Sequence, residues 1–122
     1  MIYDLMVIGG GPAGYLAAER AGHAGLNVIC FEKNSVGGVC LNEGCIPTKT
    51  MLYSAKLYDG AAHGEKYGIS TTGLTIDHSK VMARKNKVVK TLVSGVKAAL
   101  KSNNVTLVES SAVITGKSDQ GY

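Results

Sequence analysis

The chain has 122 residues, room for one small domain with a single core. Hydrophobic residues make up 45% and charged residues 18%, as in an ordinary globular protein, and no apolar run approaches the roughly 18 residues of a membrane span. Three cysteines are too few and too uneven for a secreted disulfide scaffold. The N-terminus has neither a basic leader region nor a cleavage-site pattern, so a cytoplasmic setting is expected. There, a cysteine pair points to catalysis or metal binding more than to structure. The net charge of +4 is uneven: Lys80, Arg84, Lys85, Lys87, Lys90, Lys97 and Lys101 lie in a stretch with no acid between His78 and Val108. No aromatic residue interleaves them for base stacking, so we read a solvated helix face and not a nucleic-acid footprint.

Residues 2–8, IYDLMVI, are a short apolar run that stops at three glycines, which predicts a buried strand entering a tight turn. Pro12 to Ala24 predicts a helix, with proline in its first turn, apolar residues at helical spacing and Gly25 at its end. Asn27 to Glu32 is a second buried strand. Together these form a βαβ unit, hence a parallel sheet with a right-handed crossover. Asn34 to Gly44 reads as a glycine-rich loop. A helix follows from about Cys45 to Tyr58, and residues 59–75 read as irregular. Asp77 caps a long helix through Lys101, whose apolar stripe is Val88, Val89, Leu92, Val93, Val96, Ala99 and Leu100. Asn103 and Asn104 stop it. Residues 105–108 make a third strand and 112–114 a candidate fourth.

Gly9, Gly11 and Gly14 have the G-x-G-x-x-G spacing between a strand and a helix. The first glycine allows the turn, the second lets backbone approach a pyrophosphate, and the third lets helix and strand pack closely. The helix N-terminus, opening with Pro12 and Ala13, offers free N–H groups and a positive dipole end. The second strand ends in Glu32, 18 residues beyond Gly14, where a free carboxylate can accept hydrogen bonds from both ribose hydroxyls and repel a 2′-phosphate. The pattern therefore points to a dinucleotide.

Cys40 and Cys45 lie in the stretch GGVCLNEGCIPTK. A structural disulfide, half a metal site, a redox pair or chance could each place them there. On an ideal helix, positions i and i+5 are about 8 to 9 Å apart. A disulfide needs Cα atoms within roughly 4.4–6.8 Å, so a bridged pair excludes a regular helix at Cys40. A bridge closing so small a loop removes little chain entropy, so its value would be redox more than stability. The histidines at 23, 63 and 78 have no metal-ligand spacing to the cysteines, and no metal site is expected. Cys30, inside an apolar strand, reads as a core residue. A helix starting near Cys45 would lower that thiol's pKa, and Lys49 one turn later adds positive charge.

VIGGGPAGYLAAERAGHAGLNVICFEK followed by VGGVCLNEGCIPTK resembles the flavin-dependent pyridine nucleotide–disulfide oxidoreductases over nearly the whole chain. Around CLNEGCIPTK the wording is most similar to the branch of dihydrolipoamide-oxidising dehydrogenases. The resemblance implies an α/β fold: a Rossmann-like parallel sheet with flanking helices, residues 1–122 forming an incomplete FAD-binding domain. It implies FAD along Gly9, Gly11, Pro12, Ala13 and Gly14, with Glu32 and the adjoining Lys33 at the adenosine ribose. Gly38, Val39 and Cys40 would lie by the pyrophosphate and ribityl chain. Val39 stands where the family often has threonine, which leaves only backbone contacts there. Cys40 would be the thiol that exchanges with substrate, Cys45 the thiol that faces the flavin, and Lys49 a neighbour of the flavin ring. Ala112 would meet adenine, although Ser110 replaces the glycine of the usual G-x-A.

Family members are several times longer. They carry a NAD domain, a second FAD segment and a dimerisation domain that supplies a histidine–glutamate base to the partner subunit. The resemblance thus implies an N-terminal fragment, inactive alone and prone to self-association. Its parent would be a homodimer that oxidises dihydrolipoamide, free or on a lipoyl domain, and reduces NAD+. A glutathione- or mercuric-reductase-like enzyme is the alternative within the family. A non-catalytic flavin-binding module is the alternative outside it.

Overall fold

In the computed structural model, which describes residues 2–119 and 121, eight elements follow in chain order. They are β1 (Leu5–Ile8), α1 (Pro12–His23), β2 (Val28–Phe31), α2 (Gly38–Asn42), α3 (Cys45–Ala62), a 3-10 turn (Glu65–Tyr67), α4 (His78–Ser102) and β3 (Thr106–Val108). They fall into two compact units, one formed by Met1–Gly38 with Val93–Tyr122, the other by Val39–Leu92. No helix among the described residues is long and apolar enough to cross a membrane.

The first unit is a parallel sheet in the order β1-β2-β3. β1 pairs with β2 from Leu5 opposite Val28 to Ile8 opposite Phe31, and β3 takes the other side of β2. The central strand is therefore paired along both edges. Its Val28, Ile29 and Cys30 are buried, which is why it is a continuous apolar run with no alternation. Ala18 of α1, Val36, Leu100 of α4 and Val105 complete the core.

Proline at the first position and an extended Gly11 start α1. At its end, Gly25 takes φ 90°, and the N–H groups of Ala24 and Gly25 donate to Arg20 O and Gly22 O. At Gly22 a Cβ would stand 2.3 Å from Asn103 O, so α1 crosses the end of α4 at backbone contact. α4 ends as its asparagines suggest: Asn104 adopts a left-handed φ of 57° and the Val105 N–H donates to Leu100 O. Asp77 caps its start, Oδ1 accepting from the Lys80 N–H at 3.1 Å.

In the second unit, Arg84 of α4 donates to Thr50 O of α3 at 3.3 Å, and its guanidinium lies 5.7 Å from the Tyr53 ring. Thr50 is buried and returns its own hydroxyl to Ile46 O.

Three expectations are corrected. The stretch read as a loop, residues 34–44, contains the short helix α2. Its glycines at both ends hide a five-residue helix that has no room to show a period. Residues 59–75 are not wholly irregular, because α3 continues to Ala62 and is followed by the 3-10 turn. Residues 112–114 form no strand among the described residues. Val113 and Ile114 are 81% and 64% exposed, and without a neighbouring strand to pair with, their apolar character alone builds no ladder.

Candidate functional site

The glycine loop lies at the carboxyl end of β1, where open α/β sheets bind ligands. Gly9 takes φ 105° and donates its N–H to Phe31 O at 2.8 Å. Gly10 is buried and held on both sides. Its N–H donates to Glu32 Oε2 at 2.8 Å, and its carbonyl accepts from the Gly37 N–H at 2.7 Å. The two flanking glycines have different reasons to be glycine. A Cβ on Gly14 would stand 1.8 Å from Gly9 O, so the fold forbids it. A Cβ on Gly11 would meet nothing within 4 Å, so the fold leaves that side of the loop open. Pro12 and Ala13 begin α1, and the amides of its first turn lack intrahelical partners. Gly38 passes close by, a Cβ there reaching 2.8 Å from Gly11 Cα.

Beside this loop is a cavity of about 410 Å³ lined by Ile8, Gly9, Phe31, Glu32, Lys33, Ser110, Ser111 and Ala112. It sits where all three strands end. The first unit therefore brings together the loop, Glu32, Lys33 and Ala112 from stretches far apart in the chain. Glu32 departs from expectation. Its carboxylate is not free: Oε2 holds Gly10 and Oε1 accepts the Asn34 N–H at 2.8 Å. Sequence reasoning passed over Gly10, Asn34 and Gly37 as partners. Gly10 is the unspecified middle residue of G-x-G, and nothing local marks a bond spanning 22 residues.

The second unit holds Val39, Cys40, Cys45 and Lys49. Val39 is 68% exposed. Cys40 lies in α2 and Cys45 is the first residue of α3. Both are free thiols, Cys40 half-buried and Cys45 exposed. Cys40 does lie in a helix, but that helix ends at Asn42. The N–H groups of Glu43 and Gly44 both turn back to Val39 O, at 2.9 and 2.6 Å. This break removes the separation an unbroken helix would impose, and the two side chains hydrogen-bond. That bond with Cys45 pushes the Cys40 thiol above the ordinary cysteine range, burial adds to the rise, and the positive charge of Lys49 opposes it. Cys30 is buried in β2, where burial and then the charge of Glu32 push its thiol up, as suits an inert core residue. Among the described residues no group of three or more histidine, cysteine or acidic side chains could hold a metal ion.

A parallel βαβ unit with a phosphate-type glycine loop, followed in the chain by a close thiol pair, defines a nucleotide-binding redox class. Residues 3–121 match the family model for pyridine nucleotide-disulphide oxidoreductase, and the chain belongs to that family. It is 46% identical over 96% of its length to the dihydrolipoyl dehydrogenase of Mycoplasma genitalium, covering 26% of that protein. It is 48% identical over 93% of its length to that of Mycoplasma pneumoniae, covering 25%. It is 46% identical over 88% of its length to one of Bacillus subtilis, covering 24%. The chain thus spans about a quarter of the length of these relatives. Among solved structures it is similar to the Cu(II) complex of the HOCl-induced flavoprotein disulfide reductase RclA from Escherichia coli. The TM-score is 0.71 at 28% identity, over 89% of this chain and 22% of that one.

Proposed function

We propose that residues 1–122 form the first part of the FAD-binding domain of a flavin-dependent dihydrolipoamide dehydrogenase. The observation that carries this reading is the cavity bounded by Gly9, Glu32 and Ala112, adjoining a glycine loop whose Gly11 side is open. The residues present fit the adenosine half of FAD. Ala13 and Gly14 amides and the dipole of α1 would hold its pyrophosphate, Glu32 and Lys33 would flank the ribose, and Ala112 would meet the base. Gly38, Val39 and Lys49 would serve the flavin half. FAD, when bound, supplies an acceptor for a pair of electrons.

The chain's own chemistry is thiol–disulfide exchange at Cys40 and Cys45. In the parent enzyme, one thiolate of dihydrolipoamide attacks Cys40 of the disulfide form, and Cys45 leaves as thiolate. The second substrate thiolate then attacks the substrate sulfur of that mixed disulfide, and Cys40 leaves. The substrate departs oxidised as a cyclic disulfide, and the pair is reduced to the two thiols seen here. NAD+ is the final acceptor in the parent, which acts as a homodimer in the cytoplasm on free dihydrolipoamide or a lipoyl domain. Identities of 42–48% to dihydrolipoyl dehydrogenases support this branch over a glutathione- or mercuric-reductase-like one.

Equilibrium dialysis of the purified chain against FAD, ADP and FMN tests the cofactor reading. Retention of FAD and ADP but not FMN is expected, because the first unit carries the groups for the adenosine diphosphate half. Retention of none, or of FMN alone, defeats it.

A further inference from the structure

We propose that Glu32 is a positioning residue that latches the glycine loop into its binding shape before any ligand arrives. The proposal rests on the cofactor reading only for what the shaped loop then binds. Glu32 follows the last residue of β2, so its Cα is fixed by the sheet. From there the carboxylate reaches back across 22 residues to the buried Gly10 N–H at 2.8 Å. Its other oxygen takes the Asn34 N–H at 2.8 Å. The side chain packs under the loop as well, because a Cβ on Gly10 would come 3.0 Å from Glu32 Cβ. On the far side, the Gly10 carbonyl accepts from Gly37 at 2.7 Å, and just before it the Gly9 N–H donates to Phe31 O. The Gly9–Gly10 segment is thus held by β2 through Phe31, by Glu32 and by the 34–37 turn.

Two consequences follow for binding. An anion entering at α1 does not recruit the Gly10 amide, which is already committed, and must use the amides from Gly11 onward. A buried N–H paired with a carboxylate is also a charge-assisted bond, stronger than a neutral one, so the loop is ordered without a ligand's help. Preorganisation of that kind lowers the entropic cost of binding. Glu32 also lines the cavity, so the residue that shapes the loop borders the ligand's place as well.

The experiment is amide hydrogen exchange by NMR on the ligand-free chain, for the parent and for Glu32→Ala. Expected is an acceleration of about tenfold or more at Gly10 and Asn34, with Cys30 and Phe31 of β2 unchanged. Unchanged rates at Gly10 and Asn34, or equal acceleration throughout β2, overturn the latch. If Glu32→Ala does not fold, Glu32→Gln decides, since its amide has one acceptor where two are needed. One of the two amides should then lose protection and the other keep it. Loss at neither, or at both along with β2, overturns the proposal. Binding of FAD and of its 2′,3′-dideoxyadenosine analogue, which lacks both ribose hydroxyls, gives the functional readout. Glu32→Ala should weaken the analogue too, because the loop has lost its shape. If the substitution weakens FAD but costs nothing with the analogue, Glu32 acts on the ribose alone and the latch has no part in binding. Failure of the parent chain to bind either compound counts against the cofactor reading, while the exchange rates still decide the latch.

Discussion

At Gly11 and Gly14 the same residue type answers two different demands. Gly14→Ala forces a methyl to 1.8 Å from Gly9 O, so strand, loop and helix must separate. We expect this variant to lose several kcal/mol, on the order of a severe core change, and to unfold well before the parent in urea. Gly11→Ala places its methyl in open space at an ordinary φ of −69°. Its stability should stay within about 0.5 kcal/mol of the parent while retention of FAD or ADP falls. Equal binding by Gly11→Ala and the parent would mean that no ligand approaches that side. The cysteines allow a second test. Cys40 is raised chiefly by its hydrogen bond with Cys45. A raised thiol favours the protonated form, so its contribution to stability is complete below the unfolded pKa and is lost as pH rises through the folded one. Cys45→Ala should therefore bring the Cys40 titration, followed by ultraviolet thiolate absorbance, down toward the ordinary value. A midpoint that stays put or rises would show that the partner thiol is not the cause.

The helices show what periodicity can and cannot reveal. α1 and α4 were legible because proline and glycine mark the ends of one, and Asp77 and the asparagines mark the ends of the other. Asp77→Ala removes the bond to the Lys80 N–H and should cost about 0.5–2 kcal/mol, read as a shift in urea midpoint. Leu100 is the side chain of α4 that reaches the core most completely, at 1% exposure. Leu100→Ala should cost about 2–5 kcal/mol. Leu92 shares the apolar stripe but remains 40% exposed, so Leu92→Ala should cost far less. Similar losses at both positions would place the core elsewhere. α2 was not legible, since five residues between glycines carry no period, and it is this helix that sets Cys40.

At the scale of the molecule, β1 and β3 each have one side without a strand partner among the described residues. Ile2, Ile8 and Val113 in the same unit are more than half exposed. Unpaired edges beside apolar surface favour association between copies. Light scattering should therefore show mass rising with concentration, and a constant monomer mass would count against it. The chain spans about a quarter of its relatives, and we expect it to show no NAD+ reduction with dihydrolipoamide. Activity in the pure chain would place a base and a NAD site within these residues.

The amino-acid sequence by itself determined the βαβ unit, the glycine loop, the place of the thiol pair and the family. Each of these is written in short-range spacing: an apolar run, a glycine every few positions, a proline at a helix start. The tertiary structure alone decided that Glu32 is tied to Gly10 and Asn34, and that Ser110–Ala112 closes a cavity with Phe31 and Lys33. It also decided that a break at Glu43–Gly44 brings Cys40 and Cys45 together. The Glu32–Gly10 bond and the cavity join residues brought together by strand pairing, and the thiol pair turns on the path of the backbone between the five-residue α2 and the start of α3; neither leaves a period in the chain.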